Sequence, residues 1–158
     1  MKRSEHGFTI LEIIVVLVLM AVISAYAIGR SAGTQGMELA GQVDRISNHI
    51  RYAQAMALKQ SDTVWGIACD TSDYWFFQTD TATLVMLPGE TSNTISLSGL
   101  GVGMDAFTLF FDNIGKPYTA YTDASTNTPV SAGNPLDITI TGGGSITLTI
   151  TPETGLIK

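Results

Sequence analysis

A single cysteine, Cys69, stands among 158 residues, so no internal disulfide can form. Two histidines, His6 and His49, beside that one thiol are too few donors for a structural zinc site. Charge is also scarce, at 14% of residues against 45% hydrophobic, and mean hydropathy is +0.26. That balance is too apolar for a disordered chain and exceeds an ordinary soluble domain, which points to contact with lipid. Basic residues are the scarcer sign: 8 Lys and Arg face 14 Asp and Glu, for a net charge of −6 and a pI near 4.6. A uniform positive field is what non-specific nucleic-acid binding requires, so neither DNA nor RNA is an expected partner. No proline precedes Pro88, so any bend in the first half must come from glycine. The length suits one domain, and packing alone must hold it together.

The apolar surplus sits at one end. Phe8 to Ile28 reads FTILEIIVVLVLMAVISAYAI with Glu12 as its only charge, and a helix of about 21 residues spans roughly 30 Å, the thickness of a bilayer core. Lys2 and Arg3 precede it, the charge pattern that keeps an amino terminus on the cytoplasmic side and sends the rest outward. A secretory signal with cleavage after Ala27 fits the small residues of Ala25-Tyr26-Ala27, but a carboxylate in its apolar core is then unexplained. A plain anchor accounts for Glu12 through a capping box with Thr9, yet leaves Gly7-Phe8 and the short basic leader without a role.

The run Gly7-Phe8-Thr9-Ile10-Leu11-Glu12, followed at once by the apolar stretch, resembles the class III signal of type IV pilins and type II secretion pseudopilins. The resemblance implies cleavage between Gly7 and Phe8 by a prepilin peptidase, N-methylation of Phe8, and a docking role for Glu12 between filament subunits. It divides the chain into a leader (1–7), a transmembrane and filament-core helix (8–28), an amphipathic helix (29–60) and a β-rich head (61–158). It places the protein in a bacterial inner membrane as a single-pass chain with a periplasmic head. Its implied partners are other pseudopilins or pilins, the peptidase, an assembly platform and the bilayer.

Gly29, Gly33 and Gly36 follow the apolar run, each costing about 1 kcal/mol of helix propensity, which suggests a stretch that bends or melts easily. From Glu38 to about Lys59, Leu39, Val43, Ile46, Ile50, Ala53 and Ala57 recur at steps of four and three, with Asp44, Arg45, Asn48 and Arg51 off the stripe. That is an amphipathic helix seated on a sheet. Strand-like runs follow at 63–68, 74–78, 83–87, 94–97, 107–112, 136–141 and 145–151, divided by Asp, Gly, Pro, Asn and Ser. Residues 136–150 read as a hairpin turning at Gly142-Gly143-Gly144, and 122–135 as a surface loop. The fold class is therefore α+β, a long amino-terminal helix packed on an antiparallel β-sheet head.

Without a disulfide-closed carboxyl-terminal loop, the chain is most similar to H-type minor pseudopilins and the FimT- and MshC-like pilins. Arg51-Tyr52-Ala53-Gln54-Ala55-Met56-Ala57, Phe111-Asp112-Asn113-Ile114-Gly115-Lys116-Pro117 and Ile150-Thr151-Pro152-Glu153-Thr154-Gly155 resemble three short patterns of that group. The implied function is a minor pseudopilin of a type II secretion pseudopilus, with a minor pilin of a type IV pilus (assembly, adhesion or DNA uptake) as the alternative. DNA uptake would need basic residues near the carboxyl terminus, where only Lys158 stands beside Glu153.

Enzyme chemistry finds little support. Trp65 and the run Tyr74-Trp75-Phe76-Phe77 could stack a sugar or base, but consecutive aromatics in a strand more often pack one face and leave a rim. Asp70, Asp73 and Asp80 lack the spaced glycine and closing glutamate of a calcium loop. Cys69 has no basic neighbour to activate it, and His49 no carboxylate in a triad-like motif. Gly142 to Gly144 lack the Lys-Ser/Thr of a P-loop. No catalytic residue, metal or cofactor is expected.

Overall fold

The computed structural model describes the backbone of residues 9–60, 62–121 and 127–158, and their side chains except those of 27–35. One helix, α1 (Ile10–Lys59, 50 residues), carries both amino-terminal segments. It runs without a break through Gly29, Gly33 and Gly36, because glycine weakens a helix but, unlike proline, removes no backbone donor. Thr9 caps the start in an extended conformation, and at the other end the Gln60 N–H donates to Met56 O at 3.0 Å.

All six residues of the apolar stripe, Leu39, Val43, Ile46, Ile50, Ala53 and Ala57, are buried, the last four completely. They seat the carboxyl-terminal half of α1 across β1 (Trp65–Cys69), β6 (Phe107–Phe111), β9 (Leu136–Thr141) and β10 (Ser145–Ile150). The stripe narrows from leucine and isoleucine to alanine.

The other strands are β2 (Asp73–Gln78), β3 (Leu84–Val85), β4 (Thr94–Ser96), β5 (Gly103–Met104), β7 (Pro117–Tyr121) and β8 (Asn127–Pro129). The head holds two antiparallel sheets among the described residues. The larger has the order β3-β2-β1-β6-β7-β8 with β4 also on β2, and the smaller the order β10-β9-β5. The division follows from β9, which pairs with β5 and β10, while β8 ends in Pro129 and closes the larger sheet.

The hairpin lies where the alternating Ile and Thr residues place it, with Thr141 opposite Ser145, and Ile138, Ile140, Leu148 and Ile150 buried. The 83–87 run shortens to two strand residues, and the 94–97 run stops at Ser96 because Leu97 opens a one-turn helix, α2 (Leu97–Leu100). The stretch read as surface loop contains β8; its residues 122–126 lie outside those described. The larger sheet is apolar on both faces. Tyr74 and Phe76 of β2 point into the α1 core, whereas Phe77, Ala68 and Phe110 form a second cluster with Trp75, Tyr118 and Tyr121 on the opposite face.

Candidate functional site

The apolar end of α1 stands outside the core of the head. Every side chain from Ile10 to Tyr26 is exposed, the large ones included: Val16 at 48%, Leu19 at 56% and Ile23 at 66%. A helix that is apolar all round belongs inside a bilayer or a bundle of other helices. Burying one such side chain gains about 1.5–3 kcal/mol, so a row of them cannot be left in water at equilibrium. Among the described residues no helix is long and apolar enough to cross a membrane. Of the span expected at 8–28, Phe8 and the side chains of Ala27 and Ile28 lie outside those residues.

Glu12 stands one turn into this helix. Its N–H is held by Thr9, whose Oγ1 accepts at 3.3 Å and whose carbonyl accepts at 3.1 Å, the forward arm of a capping box. The Glu12 side chain is exposed among Ile13, Val16 and Leu17. Gly7 and Phe8, the expected cleavage and methylation positions, lie outside the described residues.

The opposite half of α1 contributes polar groups that periodicity alone does not reveal. Arg45, off the apolar stripe, is only half exposed, and its Nε donates to Glu90 Oε1 at 3.0 Å while Nη2 contacts the same oxygen. His49 is buried, with Nδ1 3.0 Å from the Tyr74 hydroxyl and Nε2 3.6 Å from Glu90 Oε1. Burial lowers the His49 pKa from its usual value, with Arg45 acting the same way and Glu90 opposing both. With His49 neutral and its Nε2 proton toward Glu90, Nδ1 accepts from Tyr74, whose hydroxyl burial pushes far above the ordinary range. The hydrogen bond to Glu90 raises the Arg45 pKa further. The cluster ties α1, β2 and the loop after β3 together, and only the residue types, not their spacing, could have hinted at it.

At the far end of α1, Gln54 Nε2 donates to Gly115 O at 2.9 Å and to Thr154 O at 2.7 Å. The three short segments 51–57, 111–117 and 150–155 therefore meet in space. Gly155, at φ +63°, has room there only for hydrogen: a Cβ would lie 2.7 Å from Gln54 Nε2 and 2.8 Å from Phe111 Cε1. Lys116 and Glu153 close the rim with an ion pair at 2.6 Å.

The remaining candidates are not gathered into one site. The aromatic run is split, Tyr74 and Phe76 inward and Trp75 and Phe77 outward, and Trp75 Nε1 donates to Thr81 O at 3.0 Å. Trp65 stacks on Phe76 inside the core. Asp70 Oδ1 accepts from the N–H groups of Ser72 and Asp73, which hold its pKa below the usual carboxylate value, and Asp80 caps the turn at Ala82 and Thr83 in the same way. Among the described residues no group of three His, Cys, Asp or Glu side chains is placed to hold a metal. Cys69 is buried, and that burial raises its thiol pKa, the reverse of an activated nucleophile.

Residues 2–28 match the family described as the prokaryotic N-terminal methylation motif. The match spans the basic leader, the Gly7-Phe8 junction and the apolar run, and it supports a type IV pilin-like or pseudopilin protein. No curated protein and no solved structure matches the chain.

Proposed function

We propose that the chain is a minor pseudopilin, a structural subunit of a type II secretion pseudopilus assembled from the inner membrane, with its head in the periplasm. One observation carries this reading: within a methylation-motif segment, residues 2–28, begins a helix whose side chains from Ile10 to Tyr26 are all exposed, with Glu12 their only charge, and the same helix continues without a joint into the core of an acidic β head. A mechanical role follows. The helix anchors the precursor in lipid, and removal of residues 1–7 frees it to join a bundle of like helices. Lipid is as apolar as leucine, so this transfer gains little from hydrophobicity, and specificity must come from packing and polar pairing.

Glu12 supplies the pairing. Cleavage after Gly7 leaves Phe8 with a cationic amine that methylation keeps protonated, and a neighbour's amine in register neutralises the Glu12 carboxylate. A carboxylate buried without a counter-charge costs several kcal/mol, so only correctly staggered subunits are accepted.

Mass analysis of the protein purified from membranes tests the reading. The expected amino terminus is methylated Phe8. A start at Ile28 would mean ordinary signal peptidase, a start at Met1 would leave a plain anchor, and either overturns the proposal. Co-purification with pilus subunits in place of secretion subunits would assign the same mechanism to a type IV pilus.

A further inference from the structure

The carboxyl-terminal half of α1 carries a second stripe on the side away from the sheets. Met37, Gly41, Asp44, Asn48, Arg51, Ala55 and Leu58 recur at alternating steps of four and three, as the buried stripe does, and every one of them is exposed. That repeat is the spacing by which one helix packs along another. Its chemistry is ordered from end to end. Met37 and Leu58 are large and apolar, Gly41 and Ala55 are small, and Asp44, Asn48 and Arg51 make a polar centre. A Cβ on Gly41 would meet nothing within 4 Å, so a neighbour can approach closely there.

The two central charges are unmatched within the chain. Arg45 and Lys116 each have a carboxylate partner, whereas among the described residues no hydrogen bond or ion pair engages the Asp44 carboxylate, and Arg51 Nη1 donates to Asn48 Oδ1 at 3.3 Å. Asp44 and Arg51 lie about 10.5 Å apart along the axis, too far to meet each other. About ten turns of helix separate Glu12 from Asn48, which sets Glu12 and this stripe on one side of α1.

We propose that the stripe is where a second copy of the chain packs, its α1 parallel and displaced along the axis by one repeat of four plus three, about 10.5 Å. The displacement keeps the two stripes in phase and brings Arg51 of one copy opposite Asp44 of the other. It also sets each Asn48 against Gly41 or Ala55, which leave room for it. The stripe carries one acid and one base at this spacing, so its complement is the stripe itself, and the occupant is a like copy. From Leu58 round to Gly41 the exposed arc covers about 100° of α1, enough for a neighbour on either side. Arg51 then serves one neighbour and Asp44 the next, and the contact repeats instead of closing. An antiparallel pair centred on Asn48 would match the same charges but would send the two apolar ends in opposite directions, against the orientation that a basic leader imposes on every copy. The inference rests on the pseudopilin reading and adds which subunits stand side by side and at what stagger.

Two full-length copies with different affinity tags, extracted together from membranes of cells that carry the parent machine, test it. Arg51→Asp in both copies should lower recovery of the second tag by at least about fivefold, because a repulsion replaces an attraction of similar size. Asp44→Arg should do the same. Combining Asp44→Arg with Arg51→Asp should restore recovery to within about twofold of wild type. Both side chains are exposed, so the thermal midpoint should not move. Wild-type recovery by either single variant would refute the proposal, and so would a double exchange as weak as the singles, in favour of an unlike neighbour. Disulfide trapping fixes the direction. Asn48→Cys in one copy should cross-link to Gly41→Cys in the other, whereas Asn48→Cys cross-linked to itself would mean unstaggered or antiparallel helices and would overturn the inference. Absence of methylated Phe8 would instead bring down the pseudopilin reading itself.

Discussion

Gln54 is the point at which the head can be unlatched without touching its hydrophobic core. Its side-chain amide donates to carbonyls 61 and 100 residues away, in the turn between β6 and β7 and in the turn after β10. Gln54→Ala removes both bonds. Each is worth about 0.5–1.5 kcal/mol net, and the Thr154 carbonyl regains water readily, so the expected loss is about 2 kcal/mol. At about 4 °C per kcal/mol for a head of this size, the thermal midpoint of segment 37–158 should fall by about 8 °C. Gln54→Glu is the sharper test. At neutral pH it sets a carboxylate against two carbonyl oxygens and should cost more than alanine. Those oxygens favour the protonated acid, so its native pKa must rise above the ordinary value of about 4.3. The folded state then binds more protons than the unfolded one, and the deficit shrinks as pH falls through that raised value. Circular-dichroism melts of the three proteins at pH 7 and pH 4.5 decide it. An alanine cost below about 0.5 kcal/mol, or a glutamate no worse than alanine at pH 7, means the two bonds do not hold the turns.

Three further outcomes follow from the same geometry. Gly66→Ala places a Cβ 2.3 Å from the Leu109 carbonyl oxygen and 2.4 Å from Phe77 Cζ; since the first obstacle is backbone in the central strand pair, a loss of at least about 3 kcal/mol should appear in urea titration. The lowered His49 pKa means the folded head binds fewer protons there than the unfolded chain, so stability is present above the unfolded value of about 6.5 and declines as pH falls below it. His49→Gln should reduce the difference between urea midpoints at pH 7.5 and pH 5.5, and an unreduced difference would assign the pH dependence to other groups. Glu12→Leu should leave membrane insertion and Phe8 methylation intact while lowering recovery with other filament subunits; wild-type recovery would make Glu12 a helix cap only.

What could be read from the sequence was whatever repeats along the chain. The 3.6-residue stripe of α1 and the two-residue alternation of β9 and β10 are local patterns, and all six stripe residues are in the core. The motif at Gly7-Phe8 is likewise contiguous. What escaped depends on partners distant in sequence. Gly103-Met104 has no pattern of its own and becomes a strand because Thr141 and Ile140 lie opposite it. Pro117–Tyr121 opens with a proline, which argues against a strand interior, yet Pro117 and Tyr118 pair with Phe111 and Phe110. Arg45 reads as a solvated charge until Glu90 is brought beside it.

The same distinction explains why three weak patterns become informative together. The segments around Ala53, Gly115 and Gly155 are each too short to carry meaning along the chain. Their contact at Gln54 gives each one a physical job: Gly115 and Gly155 hold positive φ, and Gln54 satisfies the carbonyls those turns present. The helix that would anchor the subunit thus also fixes the distal turns of the head. Because α1 is one element from Ile10 to Lys59, a load on the apolar end is borne by the buried Leu39-to-Ala57 stripe and, beyond it, by Gln54. A head loosened at Gln54 should therefore weaken assembly even with its apolar helix unchanged, a coupling that a separate anchor joined by a flexible linker would not show.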